Sequence, residues 1–232
     1  MSHRGVIFWD FDGTLAYREG MWAATLLEVL DERVPGHGVT RDGLRPFLSV
    51  GFPWHEPERP HLDLAEAAAW WASLERVLAR AYVSAGVASA QAADLARLVR
   101  ARYVDPSRWR AYDDAMPTLT RLRDLGWRQA ILSNHVPELP ALVEALGLGG
   151  QVERVICSAA TGYEKPHPEA YRGALAAMGD PGAAWMIGDS FMADVLGAEK
   201  AGLRGILVRT RDERARWCCP DLRGVVEIVE GR

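Results

Sequence analysis

Residues Val6–Tyr17 read "VIFWDFDGTLAY". The first four are apolar, β-branched or aromatic, the composition of a short strand buried on both faces, and Asp and Gly end the run. Asp10 and Asp12 then stand two residues apart, just before Gly13. Carboxylates that close repel, and each resists ionising while its neighbour is charged. A fold tolerates the pair when something positive sits between them. The stretch therefore predicts a buried strand whose carboxyl end carries a charged, cation-seeking site.

Working outward, the chain after Asp113 alternates. "DDAMPTLTRLRDLG" reads as a helix, "RQAILS" as a strand, "PELPALVEALG" as a helix and "VERVICS" as a strand. "PEAYRGALAAMG" continues as a helix, "AAWMIGD" as a strand, "FMADVLGAEKAG" as a helix and "RGILVR" as a strand. Such alternation implies an α/β fold with a Rossmann-like core, a parallel β-sheet flanked by helices on both faces. Ligands of such sheets bind outside the carboxyl ends of the strands. The tail from Arg211 predicts only a loop and a short edge strand.

Between the first strand and this alternation the chain is helical. Met21–Val34 is amphipathic. "DLAEAAAWWASLERVLARAYVSAG" puts Trp70/Trp71, Leu74, Val77/Leu78 and Ala81/Tyr82 at helical spacing, with Asp63 and Glu66 as a capping box and Gly86 at its end. "SAQAADLARLVRARYV" repeats the rhythm, and no strand is expected here. The organisation predicted is a core of residues 1–16 and 113–232, interrupted by a helical segment over residues 17–112.

The 232 residues are 49 % apolar and 25 % charged, with a formal net charge of −4. That balance gives no electrostatic reason to expect nucleic acid or an anionic membrane as partner. Cys157, Cys218 and Cys219 form no disulfide framework and no zinc spacing. The N-terminal residues lack an apolar stretch long enough for a signal peptide or a membrane span, so a cytoplasmic location is expected.

Four predicted strands end in polar groups. Asp10, Asp12, Gly13 and Thr14 follow the first, Ser133 and Asn134 follow "RQAIL", Lys165 lies beyond "VERVICS", and Gly188, Asp189, Ser190 and Asp194 follow "AAWMI". At these residues the sequence resembles the haloacid dehalogenase superfamily of phosphohydrolases. "DFDGT" matches its first motif, "SN" its second, the lysine before "PHPEAY" its third and "GDSFMAD" its fourth. The helical segment falls where that superfamily inserts a helical cap of the C1 type.

The chemistry follows from the charges. A phosphate monoester dianion repels a carboxylate nucleophile, and a divalent cation neutralises both. Mg²⁺ takes carboxylate and phosphate oxygens and keeps several waters. Asp10 and Asp189 could supply the carboxylates, and the resemblance implies the main-chain carbonyl of Asp12 as third ligand. It further implies Asp10 as nucleophile forming an aspartyl-phosphate, and Asp12 as general acid and base. Gly13, Thr14, Ser133, Asn134 and Lys165 would hold phosphoryl oxygens, with Lys165 also restraining Asp10. Asp194 would orient Asp189 or act through water.

The function expected is thus a Mg²⁺-dependent phosphatase of a small phosphorylated metabolite, monomer or homodimer. A phosphomutase related to β-phosphoglucomutase keeps the same motifs, and a receiver-like phospho-acceptor module is the alternative of another class. A dehalogenase lacks an acid at the position of Asp12. Hinges are expected near Tyr17–Gly20 and Tyr112–Ala115. Arg18 is placed to meet an anionic substrate, and Phe52, Trp54 and His55 to touch the leaving group. His55 and His61 read as ordinary loop histidines, His135 as a bystander, and Trp9 and the Trp70–Trp71 pair as core.

Overall fold

The structure is a computed structural model describing residues 4–231; Met1–His3 and Arg232 of the predicted core lie outside the described residues. Strands β1 (Val6–Trp9), β4 (Arg128–Ser133), β5 (Arg154–Cys157), β6 (Ala184–Gly188), β7 (Arg204–Val208) and β8 (Cys218–Cys219) form one sheet in the order β5-β4-β1-β6-β7-β8. Every pair is parallel. Their side chains are buried alternately on two faces. Ile7, Trp9, Ile131 and Ile187 join one apolar cluster, and Val6, Phe8, Ala130, Leu132 and Met186 join the other.

The chain leaves central β1 first toward β4 and β5, then returns to β6 and continues toward β8. This reversal makes the carboxyl ends of β1 and β6 neighbours at the switch point, where such sheets bind ligands. Trp9 pairs with both Ile131 and Ile187, so the turns after β1, β4 and β6 emerge side by side.

Between β1 and β4, helices Met21–Arg33, Ala67–Ser84 and Ser89–Tyr103 pack around Trp22, Leu26, Trp70, Trp71, Leu74 and Val99. Three expectations are corrected. The second of these helices starts after Glu66 rather than at Asp63, which lies in a single 3₁₀ turn over Leu62–Leu64. A two-stranded antiparallel ribbon, β2 (Ala16–Arg18) with β3 (Trp109–Ala111), carries the chain in and out of the helical segment. The tail ends in a helix, Arg223–Glu230, whose Val225 and Val229 are buried. Among the described residues no helix is long and apolar enough to cross a membrane.

Candidate active site

The turn after β1 is built by close approach. The Gly13 amide donates to the Ala16 carbonyl (2.8 Å), with Gly13 in the left-handed region (φ +77°). A Cβ at Gly13 would lie 2.4 Å from Asp189 Oδ2, so only glycine lets the β1 turn lie against the end of β6. Gly188 is needed for the same reason, since a Cβ there would lie 2.1 Å from Asp194 Oδ2.

Asp10 emerges from this turn 8 % exposed. Ser133 Oγ donates to its Oδ1 at 2.8 Å, and Lys165 Nζ donates to the same oxygen at 2.9 Å. Both bonds fall on Oδ1, which leaves Oδ2 outside the network. Lys165 also meets Asp194 at 2.5 Å, and the second oxygen of Asp194 accepts from the Ser190 amide at 3.0 Å. Burial works against the charge of Lys165, yet the carboxylates of Asp10 and Asp194 hold its pKa above the ordinary lysine range.

The carboxylates outnumber their cation. Burial first, then the charges of Asp10 and Asp189, push Asp12 up to about 8. Burial and then Asp10 and Asp194 raise Asp189 to about 7, and burial raises Asp194 to about 6 with Lys165 opposing it. Oxygens of Asp10, Asp189 and Asp194 lie within 4.8 Å of one another. A set of hard oxygen donors with this uncompensated charge suits a hard divalent cation.

Four predicted residues sit differently from their expected roles. Asn134 Nδ2 donates to the Lys165 carbonyl (2.8 Å), and its Oδ1 accepts from the Lys165 amide (2.7 Å). Asn134 thus clasps the main chain that carries the lysine. The Gly13 amide is already engaged within its own turn, and so is that of Thr14, at 3.3 Å from the Phe11 carbonyl. The Thr14 hydroxyl is buried without a partner. Arg18 is buried, its Nε on Thr25 (2.9 Å) and its Nη2 on Glu28 (3.1 Å), so it does not meet the cleft.

A cavity of about 660 Å³ opens over Asp10 and Asp12, between the sheet edge and the helical segment. Trp54 lines it, Phe52 is stacked behind Trp54 at 4.7 Å, and His55 is exposed. His61, read as a loop residue, is buried and its Nε2 bonds the Pro53 carbonyl at 3.1 Å, tying the Trp54 loop down. The aromatic residues Trp22 and Tyr103 and the thioether of Met192 also line the cavity. Their periodicity reads equally well as core, which is why the sequence did not single them out. Arg209, also unforeseen, donates to the Thr14 carbonyl (2.9 Å) and to Asp114 (2.5 Å) and braces the β1 turn from behind.

Comparison with known proteins bears on this constellation. The family described as haloacid dehalogenase-like hydrolase matches residues 5–202. A phosphoserine phosphatase of Thermus thermophilus is 38 % identical over 167 residues, 68 % of this chain and 64 % of that one. Haloacid dehalogenase-like hydrolase domain-containing protein 3 of Bos taurus is 33 % identical over 141 residues, 60 % of this chain and 55 % of its own length. Among solved structures, a HAD phosphatase from Thermococcus onnurineus superposes with a TM-score of 0.67 at 24 % identity, covering 98 % of each chain.

Proposed function

The chain belongs to the haloacid dehalogenase-like hydrolases, and on that premise we propose that it is a divalent-cation-dependent phosphatase of small phosphate monoesters, acting through an aspartyl-phosphate on Asp10. The observation that carries the reading is the shared oxygen of Asp10. Ser133 and Lys165 both bond Oδ1, which fixes the carboxylate while Oδ2 stays outside that network.

Asp10 Oδ2 attacks phosphorus as the bond to the leaving oxygen breaks, and Asp12 passes its proton to the departing alkoxide. Water then attacks the aspartyl-phosphate, Asp12 takes the proton, and phosphate leaves with Asp10 restored. Asp12 suits the first half because burial and its neighbours favour its protonated form. Lys165 and Ser133 are within reach of the phosphoryl oxygens and stabilise charge there. Asp10, Asp189 and the main-chain carbonyl of Asp12 would hold Mg²⁺ with Asp194 beside them, and the bound cation would offset the repulsion between carboxylate and phosphate dianion.

The helical segment walls the cavity from above through Met21, Trp22, Trp54, Pro57, Glu58 and Tyr103, and its approach to the core would restrict water there. We assign it, as residues 17–112, the role of a cap, with the β2–β3 ribbon as its hinge.

The test is phosphate release from a panel of phosphate monoesters with Mg²⁺, for the wild type and Asp10→Asn, together with product analysis. Release by the wild type alone supports the reading. Equal release by Asp10→Asn sinks the mechanism, and transfer of phosphate within the substrate instead of release makes the protein a mutase.

A further inference from the structure

The walls of the cavity over Asp10 differ in chemistry from its floor. Its upper wall is an aromatic platform. Trp22 lies stacked on Tyr103 with ring centroids 3.7 Å apart and planes 7° from parallel, and Trp54 is backed by Phe52 at an interplanar angle of 26°. Met21, which also lines the cavity, is held at φ +46°, in the left-handed region that non-glycine residues seldom adopt. Opposite, Met192 is 51 % exposed at the mouth.

The charges along the same walls are as telling. Lys165 is the only cation lining the cavity among the described residues, and Asp10 and Asp194 already engage it. Arg18 is held behind Tyr103 by Thr25 and Glu28, its guanidinium 6.0 Å from the tyrosine ring centroid. On the helical side the lining contributes one charged residue, Glu58, which is negative. A second carboxylate or phosphate on the substrate would meet aromatic faces and like charge with no partner, a costly burial. A polyhydroxylated body would exchange water for walls that are mostly aromatic and thioether, with Glu58 and Ser190 among the few polar groups beyond the aspartates and Lys165.

We infer that the preferred substrate is the phosphate monoester of a flat, apolar alcohol, an arylalkyl or heteroarylalkyl phosphate without a second anionic group, its ring seated against Trp54 and Met192. This rests on the phosphatase reading above for the phosphate half, while the aromatic half rests on the walls alone. A rigid, pre-stacked platform binds such a ring with little loss of side-chain freedom.

The test compares unactivated primary-alcohol monoesters, so that leaving-group chemistry is matched: 2-phenylethyl phosphate, 2-(indol-3-yl)ethyl phosphate, ethyl phosphate, glycerol 3-phosphate, phosphoserine and phosphoglycolate. In parallel, calorimetry measures binding of 2-phenylethylphosphonate and phosphonoacetate to the Mg²⁺-loaded protein. The expected result is kcat/KM for the aryl esters at least about 100-fold above phosphoserine and phosphoglycolate, with the phenyl phosphonate bound more tightly than phosphonoacetate. Trp54→Ala should collapse the ratio of phenylethyl to ethyl phosphate about tenfold through KM, and Trp54→Phe should restore it.

Asp10-dependent turnover with phosphoserine or phosphoglycolate equal or better overturns the inference and leaves the phosphatase standing. Tight binding of the phenyl phosphonate with no ester hydrolysed overturns the phosphatase reading and leaves the selectivity of the cleft. Failure of both measurements removes both.

Discussion

Lys165 lies closer to Asp194 (2.5 Å) than to Asp10 (2.9 Å). The lysine is therefore anchored by the buried Asp194 at the cavity floor, and it reaches Asp10 from that fixed point. Asn134 completes the anchor by bonding both the amide and the carbonyl of the same residue. Ser190, at the turn after β6, holds the far oxygen of Asp194. Turns following three different strands thus set the position of one ammonium group.

Lys165→Met keeps the unbranched apolar stem, one atom shorter, and removes the charge. Asp10 and Asp194 then lose their shared cation while remaining buried. We expect kcat to fall by about 10³ or more, because charge stabilisation and nucleophile restraint vanish together. Folding stability should drop by about 3–5 kcal/mol, the usual consequence of breaking a buried ion pair from one side. Steady-state kinetics and urea unfolding check the two arms, and a variant within tenfold of wild-type kcat would contradict the assignment.

Much of this site was legible from the strand ends. Asp10 and Ser133 end short apolar runs, and a parallel sheet brings such positions to one edge; Lys165 and Asp194 lie several residues beyond β5 and β6 and are brought there by the turns that follow. The β2–β3 ribbon was invisible for the opposite reason. Each strand has three residues, and Ala16 pairs with Ala111 across the whole helical segment, so no local pattern reveals them. Asn134 was read as a phosphate ligand because its type and place allow that, and only the fold shows its amide engaged with Lys165. The sequence suggests an edge strand instead of the helix Arg223–Glu230 because Val225, Val226, Ile228 and Val229 are all β-branched, and that composition masks their helical spacing.

Arg209 illustrates the same limit and gives a second prediction. It sits one residue past β7 at φ +62°, over the Tyr112 ring at 3.6 Å, and joins the Thr14 carbonyl to Asp114. Asp114 in turn accepts from the Leu222 amide at 2.8 Å. The planar guanidinium makes two bonds in different directions and stacks at once, which an ammonium cannot copy. Arg209→Lys should cost about 1–3 kcal/mol by unfolding, from the unsatisfied Thr14 carbonyl and the weakened ion pair. It should also lower kcat by loosening the turn that carries Asp12. A variant as stable and as active as the wild type would show that the turn stands without this brace.

The crowding of carboxylates makes stability depend on pH in a defined direction. In the metal-free protein Asp12, Asp189 and Asp194 are raised to about 8, 7 and 6. Folded values above the unfolded ones mean that the associated stability is present at low pH and is lost progressively as pH rises from the unfolded carboxylate range near 4 to about 8. A divalent cation replaces those protons, so its apparent affinity should rise by about tenfold per pH unit for each proton released. Thermal melts with Mg²⁺ and with a chelator at pH 5.5 and pH 8.5 test this. The Mg²⁺-induced rise in Tm should be clearly larger at pH 8.5, and a rise independent of pH would mean the cation binds elsewhere.

His135 carries the opposite sign. Its ring is 3 % exposed, edge-on to Phe11 at 5.3 Å and 5.2 Å from Trp109, and neither nitrogen has a hydrogen-bond partner. Burial lowers its pKa to about 4, with Asp10 and the nearby Val136 main chain opposing the shift. A histidine depressed in the fold supports stability above its unfolded value near neutrality, and that support is lost as pH falls. Between about pH 6.5 and pH 4 the loss amounts to at most about 3 kcal/mol. Phenylalanine keeps the aromatic contacts and removes both unpartnered nitrogens, so His135→Phe should be at least as stable as the wild type at pH 7. Its advantage should widen on acidification to pH 5, because the ring no longer takes up a proton on unfolding. Urea midpoints of both proteins at the two pH values measure this, and parallel pH curves would mean that the His135 ring does not stay neutral in the folded protein.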